Sequence, residues 1–302
     1  MAATGPGKAT PPPGGRRSRR VPAPVTLQVA TQPRRAQAAL KVRQNVSVMS
    51  APEVNRLRKA IEGMLAREDN RGFQFFAGWH GVPLEICQHH NPYFLPWHRG
   101  YLYHFELALQ EVDPGVTVPW WNWMDEPGIP KAFDVKKVGK RKNVLASAPI
   151  RPLGVPHRPS WPRRTHREPG AVPQALPPPL ANARFSGSGQ GASAWIMAAP
   201  SYREFWKRCA EVHDNVHVWV GGEMRDQNWA AFDPLFWAHH AMVDRLWRIW
   251  QHRNPGALPD HATLEYSMTF AREPSMRVRE VLDVTALGYE YAAQAASVPG
   301  GR

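Results

Sequence analysis

The hydrophobic pattern of the chain predicts four helices. Residues Ser50–Glu53 form a capping box with a proline in the first turn, and the apolar residues that follow recur every three or four positions, so a helix begins there. Further helices are predicted from about Arg99 to Val112, from about Tyr202 to Val218, and from about Pro234 to just before Asn254. Four helices in two pairs predict a mainly α fold, a four-helix bundle with long loops.

Two stretches lack such a pattern and are strongly basic. Residues 1–43 contain nine Lys or Arg and no acidic residue, in a Pro/Gly-rich context that predicts a disordered tail over residues 1–41. Residues 131–168 contain eleven Lys or Arg against two acids, and a proline-rich segment follows to about residue 180. Because so long a stretch without helical or strand period is uncommon inside a domain, we interpret residues 131–180 as an insertion looped out from the core.

The positive charge is unevenly distributed along the chain, and this changes how the net charge is interpreted. The chain of 302 residues has 38 Lys and Arg and 25 Asp and Glu, a formal charge of +13 that would suggest a nucleic-acid partner. The two basic stretches account for the whole excess, which leaves 18 basic and 23 acidic residues elsewhere. No zinc-finger, helix-turn-helix or RNA-binding motif accompanies the charge, so we expect no nucleic-acid partner.

Membrane and export signals are weak. No run of about 18 apolar residues occurs, so no membrane span is expected. The run Arg16–Arg20 resembles the basic part of a twin-arginine export signal, but the segment after it is short and broken by prolines. A cytoplasmic location is therefore favoured, with export as the alternative, and the oligomeric state stays open.

The histidines are concentrated in three short clusters. One pair is spaced i,i+4 on a predicted helix, so both rings emerge from one face and can share a metal ion. No glutamate or cysteine set of zinc-site type accompanies them, and all-imidazole ligation suits copper. The clusters are His80, His89 and His98; His213 and His217; and His239 and His240.

Two motifs resemble those of one family. The segment His89–Glu106, HHNPYFLPWHRGYLYHFE, resembles the first copper signature of tyrosinases, catechol oxidases and molluscan haemocyanins. The segment Asp233–Asp244, DPLFWAHHAMVD, resembles the second. The pair Tyr289 and Tyr291 is similar to the tyrosine pair that ends the family's core, and Arg43 stands where a family arginine packs near that pair. The resemblance implies a domain over residues 42–291, followed by a short tail over residues 292–302.

The resemblance further implies a type 3 dicopper centre, with two copper ions held by three histidines each within four antiparallel helices, and dioxygen as co-substrate. Carried over by position, the expected ligands are His80, His89 and His98 on copper A, and His213, His217 and His240 on copper B. His90 is the alternative to His80, and His239 is the alternative to His240. His104, His252 and His261 match no motif position.

Cys87 stands two residues before His89. In a subset of the family a cysteine at this position forms a thioether to the histidine ring, so the resemblance implies a Cys87–His89 thioether. The alternatives are a buried free thiol and a disulfide with Cys209, the only other cysteine.

The implied chemistry is oxidation of ortho-diphenols to ortho-quinones, with monophenols and ortho-aminophenols as further candidate substrates. The family associates hydroxylation with a water held by a glutamate and an asparagine. Asp214 occupies the asparagine position here, and Glu211, with Glu204 as its alternative, is the expected glutamate. Asp244 and Glu106 are better interpreted as structural anchors.

A haemocyanin-like dioxygen carrier would share both signatures but would have its site covered by another domain. Only eleven residues follow Tyr291 in this sequence, which favours catalysis.

Overall fold

A computed structural model describes residues 39–184, 191–270 and 275–293 of the chain. The helices within these ranges are α1 (Ala51–Leu65), α2 (Phe73–His80), α3 (Phe94–Gln110), α4 (Lys131–Asp134), α5 (Ala192–Met197), α6 (Tyr202–Val220), α7 (Pro234–Arg253) and α8 (His261–Glu265). The strands are β1 (Lys41–Arg43), β2 (Lys137–Val138), β3 (Arg141–Lys142), β4 (Ser267–Met268), β5 (Met276–Arg277) and β6 (Tyr289–Tyr291). Almost all of the predicted tail 1–41, and most of 292–302, lies outside these ranges.

The predicted mainly α fold is confirmed, and its four long helices are α1, α3, α6 and α7. Helix α1 begins at the capping box, in which the Ser50 hydroxyl accepts from the Glu53 amide and the Glu53 carboxylate accepts from the Ser50 amide. The Asp233 side chain caps α7, whose first residue is Pro234. Helix α3 packs against α1, α6 and α7, so it lies at the centre of the bundle.

Helix α3 begins at Phe94, about five residues before the predicted start near Arg99. Its first turn is built of bulky apolar residues and a proline, without a side-chain cap at Tyr93, so the usual start signal is missing. The earlier start matters because it places His98 inside the helix and not at its end.

Helix α2 has no counterpart among the predicted helices. Six of its eight residues are buried, including Phe73, Phe76 and Ala77, so it shows no polar face and no helical period. Burial on nearly every side is the physical reason why the pattern of the sequence does not reveal it. The helix ends at His80, which it delivers to the interior.

The prediction that residues 131–180 loop out from the core is wrong. Phe133, Leu145, Ile150 and Leu180 from this segment are buried and belong to the main hydrophobic core. The segment is irregular, apart from α4 and the β2–β3 hairpin, yet it covers the bundle. Its basic side chains point outward, with the exception of Arg167, whose guanidinium forms a buried ion pair with Asp233.

A buried polar network joins the first and last segments of the chain that the structure describes. Strands β1 and β6 pair in parallel, with Arg43 opposite Tyr291. The Arg43 guanidinium lies 3.6 Å from the centre of the Tyr289 ring and donates to the Tyr291 hydroxyl at 3.0 Å. The expected packing of Arg43 near the tyrosine pair is confirmed.

Within the described ranges, no helix has the combination of length and apolar character that crossing a membrane requires.

Candidate metal centre

The six predicted ligands come together in one cluster between four helices and the loop that precedes α3. His80 ends α2, His89 lies in the loop before α3, and His98 lies in the second turn of α3. His213 and His217 lie one turn apart on α6, and His240 lies on α7. We call the first three the A half of the cluster and the last three the B half.

The B half has converging ring nitrogens. The Nδ1 atom of His213 faces the Asp214 carboxylate at 2.9 Å, and Nδ1 of His217 faces the Met224 carbonyl at 2.6 Å. Each of these partners accepts a hydrogen bond, so both Nδ1 atoms carry the proton and both Nε2 atoms present a lone pair. The Nε2 atom of His240 lies 3.2 Å from that of His213 and 3.4 Å from that of His217.

A neutral His240 ring can donate to only one of these two lone pairs, so at least one is left without a proton donor among the described residues. A cation at this point would satisfy all three nitrogens. The B half therefore fits a metal ion on the evidence of its own hydrogen bonds.

The A half is less tightly anchored. Its ring centres lie 5.2 Å apart for His80 and His89, 5.0 Å for His89 and His98, and 5.7 Å for His80 and His98. The His98 Nδ1 atom donates to the Phe94 carbonyl at 2.8 Å, which leaves its Nε2 lone pair free. That Nε2 atom and both ring nitrogens of His80 are buried without a hydrogen-bond partner among the described residues.

Electrostatics keeps these imidazoles neutral. Burial lowers the pKa of His89 to about 3, and it lowers the pKa values of His80, His98, His217 and His240 well below the ordinary value. A neutral imidazole is the form that ligates a metal ion, and unpaired buried nitrogens are costly unless something satisfies them. Nitrogen-only donors of this kind suit copper.

The two halves touch each other. The rings of His98 and His240 stack with centres 4.3 Å apart and planes inclined by 12°. Rings of His89 and His213 lie 5.9 Å apart. The arrangement is therefore one pocket of side chains and not two separate sites.

The structure distinguishes the two candidates for the first A-half position. His80 is 2% exposed and lies inside the cluster. His90 lies on the surface with a side chain 71% exposed, in a left-handed backbone conformation (φ 53°), and its Nε2 atom lies 3.5 Å from the Asp214 carboxylate. Only His80 is thus placed with the other A-half rings.

His239 lies in the cluster as well as His240. Its ring stacks on His213 at 5.0 Å and meets His217 edge-on at 4.6 Å, on the side toward Trp123. Both of its ring nitrogens are buried without a hydrogen-bond partner within the described chain. His239 is therefore brought together with the expected ligands, although the motif comparison assigns it no ligand role.

Cys87 reaches the A half. Its thiol, the His80 ring and the His89 ring each offer a ligand atom, and these atoms lie within 4.8 Å of one another. Burial raises the pKa of the thiol to about 11, and the Gln227 amide donates to its sulfur at 3.1 Å. Cys87 and Cys209 are both free, so the disulfide alternative is absent here.

Of the expected acidic residues, only Asp214 reaches the site. Its carboxylate is about 41% exposed and lies between His213 and His90. Burial alone would raise the pKa of Asp214, but the hydrogen bond from the His213 ring outweighs it and lowers that pKa. Glu211 is exposed on α6 and Glu204 lies in the first turn of that helix, and neither lines the cavity at the cluster.

A cavity of about 200 Å³ leads from the cluster to the surface. Its inner wall is formed by four of the expected ligands: His80, His89, His213 and His217. His90 and Asp214 also line it, together with residues that the sequence motifs did not reveal: Val218, Met224, Arg225, Gln227 and Ala230. A solute can therefore reach the ring nitrogens from outside.

Glu106 and Asp244 act as structural anchors beneath the cluster. The Asp244 carboxylate accepts from Arg99 at 2.5 Å and from Tyr289 at 2.7 Å, and Glu106 accepts from Arg43 at 2.9 Å. Because Arg99 follows His98 on α3 and Asp244 lies one turn after His240 on α7, this ion pair joins the helices of the two halves.

Comparison with known proteins agrees with the geometry. The family model for the common central domain of tyrosinase matches residues 70–253. A tyrosinase from Streptomyces glaucescens is 32% identical over 240 residues, which cover 72% of this chain and 85% of that protein. An A-type haemocyanin of Enteroctopus dofleini is 26% identical over 292 residues, 83% of this chain but 22% of that protein.

Solved structures show the same fold. The tyrosinase of Burkholderia thailandensis superimposes with a TM-score of 0.70 at 22% identity, covering 87% of this chain and 75% of that one. A functional unit of octopus haemocyanin gives a TM-score of 0.66 at 22% identity, with coverage of 83% and 68%. The fold and the histidine cluster thus define a type 3 copper protein. Within that class, the chain belongs to the tyrosinase family, whose members bind copper.

Proposed function

We propose that this protein is a copper oxidase of ortho-diphenols, with ortho-aminophenols and monophenols as further candidate substrates. Two diphenols and one dioxygen give two ortho-quinones and two waters. The observation that carries the proposal is the solvent-accessible cavity whose inner wall consists of histidines with free ring nitrogens.

We assign one copper ion to His80, His89 and His98, and a second to His213, His217 and His240. Bound copper would supply the dioxygen binding and the two-electron redox change that the side chains lack. The chain's own residues do the positioning: Asp214, Met224 and Phe94 fix the Nδ1 protons of His213, His217 and His98, so that each Nε2 atom points into the pocket.

The walls of the pocket bound the substrate. His80, His98 and His240 are at most 2% exposed, so the deep part of the site is shielded by protein. Asp214 at the mouth holds His213 in place, and Glu211 and Glu204 have no role in this proposal because they lie outside the cavity.

We also propose that Cys87 forms a thioether with His89. The proximity of the thiol to the His80 and His89 rings supports this bond, which would restrain the His89 ring, whose Nδ1 atom has no hydrogen-bond partner among the described residues. Forming it removes two hydrogens, so it needs an oxidant such as the copper and dioxygen of the site itself. Mass mapping of copper-loaded protein would then show the peptide that contains both Cys87 and His89 two hydrogens lighter, whereas an alkylatable Cys87 would contradict the bond.

Dioxygen binding without turnover is the second candidate, because haemocyanins are among the relatives and the structural neighbours. The open cavity favours turnover, since a phenol must reach the ring cluster and a bound dioxygen alone need not be so exposed.

A kinetic panel tests the proposal. Copper-loaded protein should consume dioxygen and form a quinone with 4-methylcatechol, and the same assay with a monophenol and an ortho-aminophenol defines its range. Reversible dioxygen binding without quinone formation would indicate the carrier instead.

A further inference from the structure

Arg225 lies at the mouth of the cavity, and its positive charge has no partner among the described residues. It is exposed and lines the same cavity as the histidines, and it follows Met224, whose carbonyl accepts from His217 at 2.6 Å. The backbone next to Arg225 is therefore fixed by the cluster itself. No ion pair or hydrogen bond of the Arg225 guanidinium occurs within the part of the chain that the structure describes.

The neighbouring carboxylates are engaged elsewhere. Glu223 accepts from the amide of His166 at 2.5 Å and from its ring at 2.7 Å. Asp226 accepts from the Asn228 amide at 2.9 Å. These contacts hold both acids within the turn and leave the cation of Arg225 facing the cavity.

The one carboxylate that lines the cavity is also engaged. Asp214 has one oxygen on the His213 ring and the other 3.5 Å from His90. The Arg225 guanidinium is thus free to bind a solute, whereas the Asp214 carboxylate already accepts a hydrogen bond from His213, so the cavity wall offers an anionic group a partner that is not engaged elsewhere.

The size of the cavity limits what can bind there. Its volume of about 200 Å³ lies below the roughly 300–1,000 Å³ of sites for drug-sized ligands, so a single aromatic ring with a short substituent fits best. Val218, Met224 and Ala230 supply apolar contacts for such a ring.

We propose that the preferred substrate is a single-ring ortho-diphenol or ortho-aminophenol that carries a carboxylate, and that Arg225 binds this group through its N–H donors. The inference rests on the proposed oxidase activity and adds the charge of the substrate to it. A planar guanidinium suits a carboxylate because it can donate two parallel hydrogen bonds.

The test compares three catechols that differ in charge: 3,4-dihydroxyphenylacetate, its neutral methyl ester, and dopamine. For the copper-loaded protein, KM should be lowest for the acid and highest for dopamine, and the difference should shrink as salt is added. In Arg225→Gln, the ratio of kcat/KM for acid to ester should fall about 5-fold to 10-fold, mainly through KM.

Two variants separate binding from folding. Arg225→Lys keeps the charge and should restore most of the preference for the acid. Arg253→Gln removes the same charge from the exposed end of α7, away from the cavity, and should leave the acid-to-ester ratio as it is.

The outcomes are distinguishable. If none of the three catechols is oxidised, the proposed function itself fails. If all three are oxidised but the acid-to-ester ratio changes by less than about 2-fold in Arg225→Gln, or changes equally in Arg253→Gln, the role of Arg225 is overturned while the oxidase activity stands.

Discussion

The B half of the cluster takes all three histidines from two long helices, whereas the A half takes His80 from a helix end and His89 from a loop. In the B half, two of the three rings have an Nδ1 partner, and in the A half only His98 has one. The B half is therefore preorganised by its secondary structure, while the A half depends on packing and, in our proposal, on Cys87. Four experiments test this contrast, from the largest expected effect to the smallest.

Removal of a ligand should have the largest effect, and each half offers a matched neighbour as control. We expect His80→Ala and His240→Ala each to lower the copper content from two ions to one per chain. Catechol turnover should then fall by at least roughly 100-fold, because loss of groups that merely support ligands already costs about 10- to 100-fold. Metal analysis and a quinone assay measure both effects.

The neighbours His90 and His239 decide the assignments. His90→Ala and His239→Ala should retain two copper ions, because His90 lies on the surface and the motif comparison places the ligand at His240 and not at His239. Loss of a copper ion from either variant, with retention in the His80 or His240 variant, would reverse the assignment in that half.

Loss of the ion pair that joins helices α3 and α7 should lower the activity less than loss of a ligand does, but it should lower the stability of the fold strongly. Asp244→Asn leaves the buried guanidinium groups of Arg43 and Arg99 without their shared carboxylate, which should lower the free energy of unfolding by about 3 to 5 kcal/mol. The partly exposed pair Arg248–Glu290 is the control, since Glu290→Gln should cost less than about 1 kcal/mol. If denaturant titrations gave equal losses of unfolding free energy for the two variants, Asp244 would contribute no more to stability than an ordinary partly exposed ion pair.

The preorganisation of the B half rests partly on Asp214. Asp214→Ala should weaken copper binding to the B half by about 10- to 100-fold, because the His213 Nδ1 proton loses its acceptor. Asp214→Asn can still accept that hydrogen bond and should lose less. Competition with a chelator measures the copper affinities. An unchanged affinity in Asp214→Ala would show that Asp214 does not hold His213 in place for copper binding.

The smallest effect concerns the loop that follows α6. Partial burial alone would lower the pKa of His166, but the carboxylates of Glu223 and Glu168 outweigh it and raise that pKa above the usual value of about 6.5. The pairing therefore contributes stability below that pH and loses it as the pH rises through the raised pKa. An NMR titration of wild type and Glu223→Gln measures this, and a His166 pKa at or below 6.5 in wild type would contradict it.

The same contrast explains what the sequence could reveal. The B half can be predicted from local pattern, because its histidines stand on helices with clear caps and periodicity: His213 and His217 on α6, and His239 and His240 on α7. The assignment of His80 as a ligand depends on the resemblance to the family, because its helix α2 is buried on nearly every face and its sequence shows no helical periodicity.

Other features follow from tertiary packing and could not be predicted locally. Residues 131–180 look like a solvated insertion from their charge, yet Phe133, Leu145 and Ile150 are core residues, because a few apolar side chains are enough to dock an irregular chain. Glu211 is two residues before His213, a spacing that turns it away from the His213 face of α6. Arg225 and Gln227 belong to no motif and reach the cavity only through the turn after α6.

Oxygen uptake by the copper-loaded protein tests the central claim most directly. On addition of 4-methylcatechol, we expect continuous dioxygen consumption with two quinones formed for each dioxygen, and no consumption in His240→Ala. A protein that holds two copper ions yet consumes no dioxygen with any catechol would contradict the assignment of this site as an oxidase.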